Sequence, residues 1–182
     1  MTTTQPITGD YTLDMNHSTI GFTARHAMVT KVRGRFDEVS GGGHFDIDDP
    51  SESRVEVVIA TKSIDTGNAD RDNHLRSNDF LAMDEFPEIR FTSTSVSRTA
   101  GDHYAVNGDL SIKGVTKAVT IDFEHTGAAV DPFGNQRIGF EGSTTINRKD
   151  WGVNFNALLE AGGVLVGDKV TLDLDISAIK AA

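Results

Sequence analysis

No cysteine occurs in the 182 residues, so the fold can use no disulfide, no thiolate metal site and no thiol nucleophile. Nor is there an unbroken apolar run of the length that a membrane-spanning helix needs. Cationic charge is scarce: 17 Lys and Arg stand against 27 Asp and Glu, a net charge of −10. That balance argues against nucleic acid, whose affinity rests on cationic contacts to phosphate. It also argues against adhesion to an anionic membrane by general charge, and leaves room only for a local basic patch. The opening MTTTQPITGD has neither the basic nor the apolar segment of a secretory signal, so a cytoplasmic location without stable membrane insertion is expected. Catalytic signatures are missing as well: there is no G-x-S-x-G elbow, no phosphate-binding glycine loop and no His pair at metal-binding spacing among the six histidines.

What remains is alternation. Ile20, Phe22, Ala24, His26 and Met28 fall on one face, opposed by Gly21, Thr23, Arg25 and Ala27. Val55, Val57 and Ile59 repeat the pattern, as do Val106, Gly108, Leu110 and Ile112, then Val119, Ile121 and Phe123. Ile138, Phe140, Gly142, Thr144 and Ile146 form a further face, and Val170, Leu172, Leu174 and Ile176 the clearest one. A period of two means half-buried strands. Turn signals such as Gly101-Asp102, Lys113-Gly114 and Asp131-Pro132-Phe133-Gly134-Asn135 separate them, and the short connections imply antiparallel neighbours. Gly41-Gly42-Gly43 reads as a bend or bulge in a long strand.

One stretch lacks this period. Residues 66–80 read as a short helical insert, capped at Thr66 or Asn68 and running to about Ser77, with Leu75, Phe80, Leu81 and Phe86 seating it. The expected organisation is a flexible tail over 1–9 and one all-β domain over 10–182. Its fold class is an antiparallel β-barrel of about eight strands.

A barrel of this size is either filled by side chains or encloses one small ligand. The inward set mixes large residues with Ala24, Gly108, Gly142 and Thr144, which leaves volume on the axis. Apolar walls with few polar groups suit a long greasy ligand.

The ordered blocks resemble the YceI-like family over about Tyr11 to Ile179. They include Tyr11-Thr12-Leu13-Asp14, Arg71-Asp72-x-His74-Leu75, Phe86-Pro87-x-Ile89-x-Phe91, Gly108-Asp109-Leu110-x-Ile112-x-Gly114-Val115-Thr116-Lys117 and Asn147-Arg148-x-Asp150-Trp151-Gly152. The resemblance implies a lipocalin-like barrel with an apolar tunnel that binds a polyisoprenoid, of isoprenoid quinone or polyprenyl phosphate type, or a related long-chain or fatty amphiphile. It implies no cofactor beyond that lipid, and a homodimer is possible in such a family. The expected ligand-binding set is Ile20, Phe22, His26, Met28, Phe36, Ile59, Phe91, Leu110, Ile112, Phe123, Phe140 and Leu172.

Two other readings compete. One is an enzyme acting on a hydrophobic substrate near His26 or near Arg71, Asp72 and His74; the bland alternatives are a satisfied core histidine and a charge cluster that ties the insert to the barrel, through Arg148 and Asp150. The other is a solid-barrel interaction module. Lys31, Arg33 and Arg35 alternate with Val32, Gly34 and Phe36 as a basic row. That row reads either as solvated outer surface or as a contact for a phosphorylated head group or partner.

Overall fold

The computed structural model describes residues 6–157, 159 and 163–181. Eleven strands form one antiparallel sheet: β1 (Gly9–Leu13), β2 (Thr19–His26), β3 (Thr30–Phe36), β4 (Val39–Phe45), β5 (Arg54–Ala60), β6 (Ile64–Asp65), β7 (Glu88–Ala100), β8 (His103–Ile112), β9 (Val115–Val130), β10 (Gln136–Asn147) and β11 (Val166–Lys180). Among the described residues one α-helix, α1 (Ala69–Arg76), interrupts them.

The eleven strands trace an eight-stranded barrel, because three pairs of short strands each act as one long, broken strand. β11 pairs with β1 over Ala178–Lys180 and with β2 over Val166–Asp175, so β1 and β2 lie end to end along its edge. β4 continues β3 in the same way, and β6 continues β5. At one end the ring closes completely by hydrogen bonding, in the order β1, β4, β5, β7, β8, β9, β10, β11 and back to β1. At the other end two seams lack ladder bonds. β6 pairs with β3 alone. β9 and β10 pair from Val130–Gln136 to Asp122–Ser143, with a register shift between Gly139 and Phe140, and then diverge. The sheet there splits into two leaves, β7–β8–β9 and β10–β11–β2–β3–β6.

Local chemistry explains the connections. The β8–β9 turn has both central residues left-handed, Lys113 at φ 50 and Gly114 at φ 76, the geometry whose twist matches an antiparallel hairpin. The β9–β10 loop is an Asx-type turn: one carboxylate oxygen of Asp131 accepts from the amides of Phe133 (2.9 Å) and Asn135 (3.0 Å). The Asn68 side chain caps α1 by accepting from the Arg71 amide at 2.9 Å.

Two expectations need adjustment. Gly41, Gly42 and Gly43 lie inside β4 and do not bend it. A Cβ on Gly42 would meet the Tyr11 carbonyl oxygen at 2.5 Å, and one on Gly43 would strike the Arg54 carbonyl oxygen, so glycine admits close neighbours on both sides. The chain turns instead at Asp37 and Glu38. Of the N-terminal nine, residues 1–5 lie outside the described residues, whereas Pro6 and Ile7 accept hydrogen bonds from Lys180 (2.6 Å) and Tyr11 (2.5 Å), and Gly9 starts β1. No helix among the described residues is long and apolar enough to cross a membrane, which says nothing of strands.

Candidate functional site: an apolar cavity along the barrel axis

At the hydrogen-bonded end Phe45 packs across the axis on Tyr104, His125 and Phe140; beyond that plug the inner faces of the strands stand apart. They surround a cavity of about 350 Å³, within the size range of small-molecule sites. Its wall is almost wholly aliphatic and aromatic. A cavity lined this way does not hold water well, because a water needs two to four polar partners.

The bore stays open through a repeated device: an inward glycine lies beneath a phenylalanine ring from the adjacent strand. A Cβ on Gly34 would strike the Phe22 ring, one on Gly142 would strike Phe123, and one on Gly108 would lie 2.5 Å from the ring of Phe91. The small inward residues therefore create space indirectly. They let large rings lie flat on the wall instead of reaching the axis.

At the divided end, two non-strand segments fill the seams. Between β6 and β7 the insert contributes Leu75, Phe80 and Leu81 to the cavity wall. It is anchored by Arg76, which donates to the carbonyls of Lys62 (2.8 Å) and Ile64 (2.9 Å), and by Thr61, whose hydroxyl donates to Phe86 O at 3.0 Å. Between β9 and β10 lies the 3-10 turn Arg148–Trp151. Trp151 is buried, and its indole N–H donates to Leu110 O at 2.8 Å, so it closes the end and satisfies its polar atom at once. Arg148 is the charged side chain buried in this wall. It donates to the carbonyls of Val153 (2.6 Å), Gly167 (2.9 Å) and Val166 (3.2 Å), while the Asp168 carboxylate lies 3.8 Å away. Desolvation pulls its pKa down, opposed by Asp168. Lys113 spans both fillers, donating to Asn78 O and Gly152 O at 3.4 Å each.

Of the twelve residues expected on the inner wall, Ile20, Phe22, Phe36, Ile59, Phe91, Leu110, Ile112, Phe123, Phe140 and Leu172 line the cavity. His26 and Met28 do not. β2 ends at His26, and Ala27 and Met28 turn the chain with φ 50 and 62, so the alternation that carried Met28 inward stops one residue short. Both side chains are exposed. Tyr11, Phe45, Tyr104 and Arg148 line the cavity and were missed as wall residues. For Tyr104 and Phe45 the period of two, extended back from Val106 and forward from Gly43, carries the signal. For Arg148 no periodic signal exists.

The polar cluster on the insert is architectural. Asp72 accepts from the amide (2.9 Å) and hydroxyl (2.5 Å) of Thr66, and Arg71 donates to the Thr66 hydroxyl and carbonyl at 2.7 Å each. His74 faces Asp79 at 2.8 Å and packs edge-on against Phe80 and Phe155. These groups brace the insert against itself; the expected partners Arg148 and Asp150 are not involved. None of the three lines the cavity.

Two ionisable groups report on the hydrogen-bonded end. Arg137 lies between Asp131 (2.8 Å) and Asp14 (2.6 Å) and draws both carboxylates down, Asp131 to about 2. His125 packs against Phe45 and Phe140, and desolvation there lowers its pKa, opposed by the charge of Asp102.

The family model for the YceI-like domain matches residues 11–178. The UPF0312 protein SAS2572 of Staphylococcus aureus is 42% identical over 165 residues, covering 90% of this chain and 94% of that one. A Campylobacter jejuni YCEI protein superposes with a TM-score of 0.75 at 26% identity, over 87% of this chain and 90% of that one. A polyisoprenoid binding domain from Saccharophagus degradans superposes with a TM-score of 0.70 at 15% identity, over 94% and 98%. At that last identity the likeness shows the fold alone.

Proposed function

The chain belongs to the family of YceI-like domains, and from that premise we propose that its barrel binds a long-chain apolar or amphiphilic ligand, a polyisoprenoid such as an isoprenoid quinone or polyprenyl phosphate, for storage or transport. The cavity carries this reading: about 350 Å³ of space walled by apolar side chains along the barrel axis. Each methylene that leaves water for such a wall gains about 0.8 kcal/mol. A tail of a few isoprene units gains on the order of 10 kcal/mol before ordering costs are subtracted. The superposed domain from Saccharophagus degradans is named for polyisoprenoids, and the proposed ligand class comes from that name, while the likeness itself shows the fold.

Binding without turnover fits the polar inventory of the wall. The guanidinium of Arg148 and the indole N–H of Trp151 are both committed to backbone carbonyls. The groups weighed for catalysis, His26 and the Arg71, Asp72, His74 cluster, lie off the cavity. A solid barrel is incompatible with the space on the axis.

Organic extraction of the purified protein followed by mass spectrometry tests the proposal. An isoprenoid mass is expected in the wild type and absent from folded Phe22→Asp or Leu110→Asp, which place a carboxylate on the wall. Repeatedly lipid-free wild type, or folded variants that retain the lipid, would overturn it.

A further inference from the structure

We propose that the β2–β3 hairpin is a docking tip for the surface of a bilayer that carries anionic phospholipid. This goes beyond ligand binding in the cavity and rests on a different surface.

At the tip, Met28 is 63% exposed and Val29 75%. The turn is closed by the Val29 amide donating to His26 O at 3.0 Å, with Ala27 and Met28 both left-handed. Such a turn favours Asn and Gly at these positions. Neither residue suits it, so turn chemistry does not explain an exposed methionine there.

Behind the apolar tip stand cations. Arg25 faces Lys31 across the hairpin, and Arg33 follows opposite Thr23. Between Asp14 and Asp37 the chain has no acidic residue, in a protein with net charge −10. Arg35, deeper along the strand, is tied to Asp37 (2.9 Å) and Asp65 (3.6 Å). Among the described residues Arg25, Lys31 and Arg33 make no ion pair, and across β11 Asp168 is engaged by Lys149 at 3.3 Å.

Screening lets this patch act locally. Along β3 the first carboxylate, Asp37, lies nine residues from Met28, roughly 30 Å at about 3.3 Å per residue, three times the Debye length of about 10 Å at 0.1 M salt; on β11 Asp173 lies nearer, 3.5 Å from the hydroxyl of Thr23, which pairs with Arg33. Beside the hairpin three cations, Arg25, Lys31 and Arg33, face two carboxylates of β11, Asp173 and Asp168, of which Asp168 is held by Lys149. The other apolar hairpin differs. Phe133 is 89% exposed, but the neighbouring cation Arg137 is neutralised by Asp131 and Asp14.

The tip is also continuous with the cavity. Phe22 and Ala24 of β2 line it, and the pair Ala24–Val32 is adjacent to Arg25–Lys31. Docking by this hairpin would set the divided end of the barrel against the lipid.

Flotation of the full chain with vesicles of equal parts phosphatidylglycerol and phosphatidylcholine tests the proposal, with pure phosphatidylcholine as control. A near-surface Lys or Arg contributes roughly fivefold in partition. Lys31→Glu with Arg33→Glu should therefore lower binding more than tenfold, and Met28→Ser with Val29→Ser roughly tenfold. Rising salt should release the wild type, a result that needs no variant. No binding to the anionic vesicles at low ionic strength overturns the proposal. So does binding that salt and Lys31→Glu/Arg33→Glu leave intact, or capture by an acidic protein in place of vesicles. The extractable isoprenoid in the same preparations reads the cavity separately: loaded protein that ignores vesicles defeats the docking tip alone.

Discussion

The two ends of this barrel are closed by different physics. One is joined by strands: β1 pairs with both β4 and β11, and glycines in β4 let three backbones approach closely. The other is divided, and side chains fill its seams: Trp151 and Arg148 between β9 and β10, and the insert with Phe80 between β6 and β7. A ladder of backbone bonds is cooperative and admits little variation. A seam held by a few side chains can open locally at far lower cost than the whole barrel. The divided end is therefore the one that can open without unravelling the sheet, and the proposed ligand would enter there.

The largest effect is expected from removing the plug at the divided end. Trp151→Ala deletes a buried aromatic and orphans its contact with Leu110 O, and should cost about 3–5 kcal/mol in denaturant unfolding. Gly43→Ala probes the other end. Its Cβ would collide with the Arg54 carbonyl, and a loss of about 1–3 kcal/mol is expected. If both variants unfold with identical local hydrogen exchange, the contrast between the ends is wrong.

Gly142→Val should separate the bore from the fold. The added side chain lifts the Phe123 ring toward the axis, so ligand capacity should fall by an order of magnitude or more while the stability loss stays at about 1–3 kcal/mol. Acid should act on the hydrogen-bonded end first. Asp131 has its pKa lowered to about 2 by Arg137. A depressed carboxylate stabilises the fold above its unfolded value near 3.9, and that contribution fades as pH falls from about 4 toward 2. Arg137→Met should flatten this part of the acid-unfolding curve. Smallest is Lys113→Ala, which removes two long contacts across the fillers. Global stability should change by less than about 1 kcal/mol, with faster amide exchange confined to the insert and residues 148–153.

Much of this architecture is legible in the sequence because a strand writes its two faces into alternate residues. Val170 to Ile176 and Ile138 to Ile146 announce their inward sides, and Lys113-Gly114 its turn. Side-chain chemistry narrows the helix cap to Thr66 or Asn68, and the fold selects Asn68. The limits of the period are less visible. Nothing in Ala24, His26, Met28 marks His26 as the end of β2, since the turn that follows uses Ala and Met where Asn or Gly would have flagged it. Inward glycines suggest volume but not the rings lying over them. Arg148 falls outside any periodic pattern, because its place in the wall depends on carbonyls from Val153, Val166 and Gly167 that only the folded chain brings together.

The single tryptophan lies on the cavity wall, so its emission reads occupancy directly. Titrating lipid-stripped protein with a long-chain isoprenoid quinone should quench Trp151 saturably at one ligand per chain, and Leu110→Asp should abolish the effect. A fluorescence that never saturates, or that Leu110→Asp leaves unchanged, would contradict a ligand on the barrel axis.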